Sequence, residues 1–425
     1  MEITELKFER GGERPARMAP SLRSNFAWTL TANVVYGGCQ WAMLSALAKL
    51  GSAAIIGQFT LGLAISAPVF LFTSLQLRSV QATDARSEAR FADYFSLRLL
   101  ATGAGLLAIA AMLPFVASSW QVRAVILLVS LAKSIECMSD VTAGLLQREE
   151  RLDRVAASLM MRGIAASSLF ALAFARFHSL VLAVAGLCLG WLAVFLFYDL
   201  PNTRALLERG DGFFRCDRQG LRRVLFLSLP LGWVATIASL TVNIPRYVLQ
   251  HERGFAEQGI FASLAYLVVA INLVVVALTQ SVTTRLAFMY ATGEHKRFKS
   301  VILRLSALGA AITGVGVPLS FLVGRPLLTL VYRPEYGEHV GLLALLVATA
   351  GVSTTGTFLF CAASAARAFR VQVPVYLLAM MTAGAGAILL VPRLGMIGAA
   401  LALLLAAMVV VAGGLVIMRK LLHAI

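Results

Sequence analysis

Lys133, Glu136 and Asp140 recur at offsets of three and four inside an otherwise apolar stretch. On a helix that spacing sets them in one stripe, and Ser130 and Gln147 share the same face. A charge at the centre of a membrane helix costs about 2.5–3.5 kcal/mol on insertion scales, so such groups are read first as parts of a substrate or ion path. Two chemistries fit the stripe. Lys133 and Glu136 neutralise each other and tie two helices together, or the stripe lines a polar cavity in which the ammonium meets an anion. In the second case Glu136 and Asp140 are the candidates for an ion-coupled or gating switch, because burial disfavours an ionised carboxylate.

Further polar residues sit in apolar runs. Arg98, Arg162, Arg285 and Arg304 all lie a turn or two inward from the same ends of their runs, as Asp140 does. They either snorkel to headgroups or form a cationic vestibule suited to phosphate, which guanidinium grips bidentately. Uncharged stripes run through Asn25, Thr29, Asn33, Tyr36 and Gln40, through Thr236, Ser239 and Asn243, and through Asn272, Gln280 and Thr284. Helix–helix hydrogen bonding is the commoner use of such residues, but stripes in four spans together fit one hydrophilic lumen. Pro68, Pro230 and Pro245 are kink points, and Pro245 also fits the outer end of its span.

The elements that carry these residues follow from composition. Of 425 residues, 59% are hydrophobic and 14% charged, and the mean hydropathy is +0.82. Soluble domains hold about 45–50% apolar and about 25% charged residues, so a soluble enzyme is excluded. At about 35 residues per span and loop, the chain is an all-α polytopic membrane protein of about 12 transmembrane helices. The runs are 25–49, 53–76, 93–117, 122–146, 155–175, 179–199, 224–245, 258–288, 300–323, 340–363, 371–392 and 394–418. Lys133 then lies about 16 Å from the outer end of its span, near mid-bilayer.

The net charge of +16 belongs to loops at the membrane surface rather than to nucleic-acid binding. Lys49, Arg123, Arg176, Arg246, Arg253, Arg325, Arg333 and Arg393 fall in odd-numbered loops. Most other basic residues lie in the N-terminal tail, the even-numbered loops and the C-terminus, which places both termini in the cytoplasm. Residues 1–22 read as a cytoplasmic tail without the apolar core of a signal peptide. Residues 23–200 form one six-helix lobe, 201–223 a basic cytoplasmic linker, and 224–425 a second six-helix lobe. Leu97-Arg98-Leu99 and Leu303-Arg304-Leu305 echo each other at corresponding places, as expected of two pseudo-symmetric lobes around a central cavity. Cys39, Cys137, Cys188, Cys216 and Cys361 lack CxxC spacing, and the five histidines are dispersed. No metal, disulfide framework or cofactor is expected, and no Walker-type glycine loop supplies a nucleotide motor.

Longer segments carry a resemblance. NFAWTLTANVVYGGCQWAMLSALAKLGSAAIIGQFTLGLAISAPVFLF (25–72) with LQLRSVQATDA (75–85), NIPRYVLQHERGFAEQGIFASLAYL (243–267) and LLTLVYRPEYGEHVGLLALL (327–346) resemble bacterial oligosaccharide flippases. These form the polysaccharide-transporter branch of the MATE-like MOP exporter superfamily. The resemblance implies alternating access of a central cavity in the bacterial inner membrane. It implies a cargo of undecaprenyl-diphosphate-linked oligosaccharide for O-antigen, capsule or exopolysaccharide, and no enzymatic activity. It also implies a coupling ion (H+ or Na+) in some members, and polymerase and chain-length proteins as partners alongside membrane lipids. Onto this chain it carries Asn33, Gln40, the Arg78–Asp84 loop, Asn243 and Arg246, the last at the outer mouth. The substrate-binding set is thus Arg98, Lys133, Arg162, Arg285, Arg304, Asn33, Gln40, Asn243, Asn272 and Gln280. Three other readings compete. A multidrug–cation antiporter of the same superfamily typically has a carboxylate in span one, which is missing here. A lipid II flippase usually has two further spans. A membrane enzyme on lipid-linked sugars needs acids or bases at a watery face, and only PEYGEH (334–339), read as a polar helix cap, comes near that.

Overall fold

The computed structural model describes residues 22–83, 90–117, 119–149, 151–207, 212–214, 217–366, 368 and 371–423, and all regular structure among them is helical. The expected tail therefore lies outside the described residues, apart from its last position. The helices are α1 (Leu22–Leu50), α2 (Ala53–Ser74), α3 (Leu77–Thr83), α4 (Phe91–Val116), α5 (Trp120–Arg148), α6 (Leu152–Phe177), α7 (Leu180–Val194) and α8 (Leu200–Arg204). A π-helical turn, Phe195–Asp199, joins α7 to α8. After the linker come α9 (Arg218–Ala291), α10 (His295–Val331), α11 (Val340–Ala365), α12 (Gln372–Leu394) and α13 (Met396–His423).

Among the described residues, nine helical runs are long and apolar enough to cross a membrane. Two more helices, α1 and α5, have the length but are too polar to stand out this way. They are the helices that carry the Tyr36–Gln40 and Lys133–Asp140 residues. The run that begins α9 doubles back at Gly254, whose φ of 82° and ψ of −175° interrupt the helix and turn it into two antiparallel arms. Only glycine adopts that backbone without strain. The total is the expected dozen crossings. Large apolar side chains such as Phe115, Phe197, Leu322 and Leu330 face outward, as a lipid-facing surface requires.

Two boundaries differ from expectation. Pro245 does not end its span: the helix runs on to Gly254, because a proline in a packed membrane helix has its freed carbonyl satisfied by neighbours. The linker also ends earlier, at Arg218. Asp93, in the first turn of α4, accepts from the Arg90 backbone N–H at 3.1 Å and from that of Asp217 at 3.0 Å, so it pins the start of α9 to lobe one. Phe213 adds ring contacts to Phe91 and Phe95 at 5.6 and 5.0 Å. PEYGEH forms a short 3-10 helix, Pro334–His339, leading straight into α11.

Helices α1–α8 pack among themselves, as do α9–α13, and the two groups meet chiefly where α2 runs along α9. We call the face that carries the start of α1 and the end of α13 the terminal face, and the opposite one the distal face. At the distal face one continuous apolar core joins both groups, from Leu44, Phe59 and Trp191 to Phe261, Leu328 and Leu343. At the terminal face the cores are separate: Leu77, Phe95 and Val141 belong to one, Phe298, Phe360 and Ile417 to the other. The lobes therefore share one core distally, whereas at the terminal face they have separate cores and are joined chiefly through the start of α9, whose Val224 packs in the core of lobe one.

The seal has identifiable parts. A Cβ on Gly57 would collide with the Phe255 carbonyl, and one on Gly259 with the Ala53 carbonyl, so the backbones of α2 and α9 touch there. Below this crossing Thr60 Oγ1 sits 3.2 Å from the Gln258 side-chain amide, and the Tyr247 hydroxyl donates to the Ala64 carbonyl. Arg333 donates to the Lys49 carbonyl at 2.9 Å, bridging the lobes at the rim.

Candidate functional site

A cavity of about 160 Å³ lies at mid-membrane depth, walled by Tyr36 and Gln40 of α1, Phe59 of α2, Lys133 and Glu136 of α5, Trp191 of α7 and, from the other lobe, Tyr266 of α9. The 3.6-residue period of α5 turns Val129, Ala132, Lys133 and Glu136 to this side. Lys133 Nζ donates to Glu136 Oε2 at 2.6 Å. The Tyr36 hydroxyl donates to the other carboxylate oxygen at 3.3 Å, and the Trp191 ring lies 5.6 Å from the ammonium. Lys133 and Glu136 thus pair within α5, and the pair faces a cavity, with about a quarter to a third of each side chain exposed (27% and 30%).

Two arginines flank the cavity. Arg162 of α6 is buried, 6% exposed, and stands within electrostatic reach of Glu136 and of buried Asp199. Arg246 of α9 reaches Tyr266 and Tyr247 in the same sense. Its neighbour Tyr247 touches Ala64, eleven positions into α2, or about 16 Å from that helix's distal end at 1.5 Å per residue. Arg246 therefore sits in the interior, at the depth of Lys133, and not at the outer mouth. The difference follows from Pro245, past which the helix continues to Gly254. Three cations against two carboxylates leave the lobe boundary electropositive.

Asp140 does not join this cavity. It is held from both sides, by Arg78 Nη1 at 3.3 Å and Arg98 Nη2 at 3.4 Å, while Arg78 Nε also donates to Gln147 at 3.0 Å. This cluster lies a turn nearer the terminal face and ties α3, α4 and α5 together. The Arg98 side chain has no exposure at all, so it cannot meet a substrate in this conformation. Its Nε and Nη1 lack hydrogen-bond partners, so Asp140 is its chief compensation. The residues of the expected cationic belt differ in burial. Arg98 and Arg162 are buried in lobe one, whereas Arg285 and Arg304 are exposed on α9 and α10 of lobe two. Depth along a helix says nothing about which way a residue faces.

The uncharged stripes divide similarly. Tyr36 and Gln40 face the cavity, but Asn33 is exposed and donates to the Thr29 carbonyl of its own helix at 2.8 Å. Asn243 is buried and spends its amide on Ser239, at 2.9 and 3.2 Å. Asn272 is exposed, and the side chains of Asn25, Gln280 and Thr284 lie outside the described residues. Sequence reasoning missed Trp191 and Tyr266. Both sit in plain apolar runs, and an aromatic there carries no signal beyond its type. Among the described residues no cluster of His, Cys, Asp and Glu could hold a metal ion.

Comparison with known proteins places this arrangement. No family model matches the chain. It is similar in sequence to a capsular polysaccharide biosynthesis protein, CapF, of Staphylococcus aureus, 27% identical over 380 residues, covering 89% of this chain and 94% of that one. Among solved structures it is similar to the lipid II flippase MurJ in an inward closed conformation, with a TM-score of 0.72, 13% identity and coverage of 94% and 89%. It is also similar to a MATE-family multidrug transporter in the inward-facing conformation, with a TM-score of 0.67, 15% identity and coverage of 96% and 97%. A third is a MOP superfamily transporter of Pyrococcus furiosus described as having a binding pocket of reverse polarity, with a TM-score of 0.63, 15% identity and coverage of 95% and 97%.

Proposed function

We propose that this MOP-superfamily membrane protein of polysaccharide biosynthesis is a flippase for undecaprenyl-diphosphate-linked oligosaccharide, moving it from the cytoplasmic to the outer leaflet of the bacterial inner membrane. One observation carries the reading: a cavity lined by Lys133, with Arg162 and Arg246 within electrostatic reach of its wall, lies between two lobes that share a core at one face and hold separate cores at the other. A basic buried cavity fits an anionic cargo and repels the cationic drugs an antiporter would carry. The terminal face bears Arg148, Arg218, Arg222, Arg223, Lys296, Arg297 and Lys299, which supports reading it as the cytoplasmic side, the side where the proposed substrate is made.

In this reading the diphosphate enters between the lobes and meets Lys133 and Arg246, while the glycan fills the wider space towards the cytoplasm. The prenyl chain stays in lipid and passes between α1 and the second arm of α9, which barely touch and present Trp28, Leu30, Val34, Val269 and Val274 outward. Rocking of the lobes breaks the Gly57–Gly259 crossing and closes the terminal side. A membrane enzyme is disfavoured because Glu252 and Glu257, at the distal bend of α9, and Glu335 and Glu338, in the 3-10 helix, do not line this cavity. Ion coupling through Glu136, and docking of a polymerase that consumes the product outside, belong to the same proposal as sources of drive.

The test is the sidedness of the lipid-linked pool in a deletion strain, probed in spheroplasts with an impermeant glycosidase. Full-length repeats trapped on the cytoplasmic face, with surface polymer lost, are the expected result. Single repeats that reach the outer face and fail only to polymerise would contradict it.

A further inference from the structure

The cavity's wall contains an acid where an anion should bind. Within it, Glu136 already occupies Lys133 at 2.6 Å, and Tyr36 fixes the carboxylate's second oxygen. Any anion that reaches the ammonium also enters the repulsive field of that carboxylate.

Resting on the transport function proposed above, we infer that Glu136 is a built-in competitor that makes the cavity select a diphosphate over a monophosphate. An anion with one charge gains the attraction of Lys133 and meets the opposing repulsion of Glu136, so part of the gain is cancelled. Phosphodiester phospholipids, which surround the protein in large excess, fall in this class. A diphosphodiester carries a second charged phosphate, and the first can sit at the Lys133 wall while the second extends across the lobe boundary. There Tyr266 and Arg246 stand on the opposite lobe, and the Arg246 Nε is buried without a hydrogen-bond partner among the described residues. Arg162 adds no preference of its own, because Asp199 and Glu136 both lie within its reach. The surplus positive charge thus rewards the second phosphate and not the first. Glu136 stays 30% exposed beside its partner, so an incoming ligand can push it aside without unfolding the wall.

The experiment uses the full chain in detergent and two synthetic probes that differ by one phosphate: farnesyl-diphospho-N-acetylglucosamine and farnesyl-monophospho-N-acetylglucosamine. Dissociation constants are read by microscale thermophoresis for the wild type and for Glu136→Gln, which preserves the shape of the side chain. The wild type is expected to prefer the diphospho probe at least about tenfold. In Glu136→Gln that preference falls to about threefold or less, mainly through tighter binding of the monophospho probe, and phosphatidylglycerol newly competes. Wild-type affinities within about threefold of each other, or an unchanged ratio in the variant, would overturn the inference and leave the flippase reading standing. The wild-type ratio decides the matter even if the variant fails to fold. Binding of neither probe by the wild type would instead overturn the flippase reading, and this inference with it.

Discussion

At the scale of single residues, the pairing of Lys133 with Glu136 and the recognition role proposed for it separate experimentally. Lys133→Met leaves Glu136 half-buried without its cation, which should cost about 1–3 kcal/mol, below the full penalty for a wholly buried pair because both groups touch the cavity. The double variant Lys133→Met/Glu136→Gln removes both charges and should regain most of that stability, since an uncharged pair leaves nothing uncompensated. Neither should restore surface polymer, because the ammonium that meets the phosphate is gone. Thermal melting in detergent alongside polymer display reads both; display by the double variant would show that Lys133 is structural only. Arg98 makes the opposite prediction. With no exposed surface and Asp140 as its chief compensation, Arg98→Ala should lower the melting temperature and expression, and Arg98→Ala/Asp140→Asn should recover much of both. Strong loss of probe binding by a well-folded Arg98→Ala would return this residue to the substrate path.

Elements come next, and here the legibility of the chain was uneven. Spans that are apolar throughout announce themselves, and even α1 and α5 were readable, because interruption by polar residues at helical spacing still leaves a helix-length stretch between turns. The helix boundary at Pro245 was misread for a physical reason: a rule for proline in water does not hold where packed neighbours satisfy the freed carbonyl. That one error moved Arg246 from the interior to the rim. Facing was harder still. Arg98, Arg162, Arg285 and Arg304 share a depth, but only the rotation of each helix about its axis decides that two are buried in one lobe and two exposed in the other. Trp191 and Tyr266 gave no warning, because the cavity wall is completed by aromatics indistinguishable in type from core. The glycines of α2 and α9 carry a sharper prediction. Gly57→Ala or Gly259→Ala puts a methyl group into backbone of the other helix, so the distal seal cannot close. Either variant should shift the protein towards the distally open state and raise labelling of a cysteine at Thr60 by an impermeant maleimide from outside. Transport should fall at least about tenfold, the loss of more than about 1.4 kcal/mol from the closed state. Unchanged labelling would mean that the crossing is not the gate. The companion test is a disulfide between Thr60→Cys and Gln258→Cys, which should arrest transport on oxidation and release it on reduction.

For the whole molecule, the asymmetry between faces carries the argument. One core joins the lobes distally and two separate cores hold them at the terminal face, so the described conformation opens towards the side bearing the basic loops. Alternating access then needs the same two bodies to trade one shared core for another, with the basic cavity at the pivot. The chain's fold is that of transporters and a lipid flippase, and its sequence relative belongs to capsule biosynthesis. The cavity chemistry joins these two facts. The most direct measurement reconstitutes the purified protein into liposomes with a fluorescent prenyl-diphospho-oligosaccharide and follows quenching by an impermeant reductant. The account predicts that the inner-leaflet pool becomes accessible in protein-containing vesicles, and stays protected in empty ones and in those with Lys133→Met. Equal protection with and without the wild-type protein would contradict it.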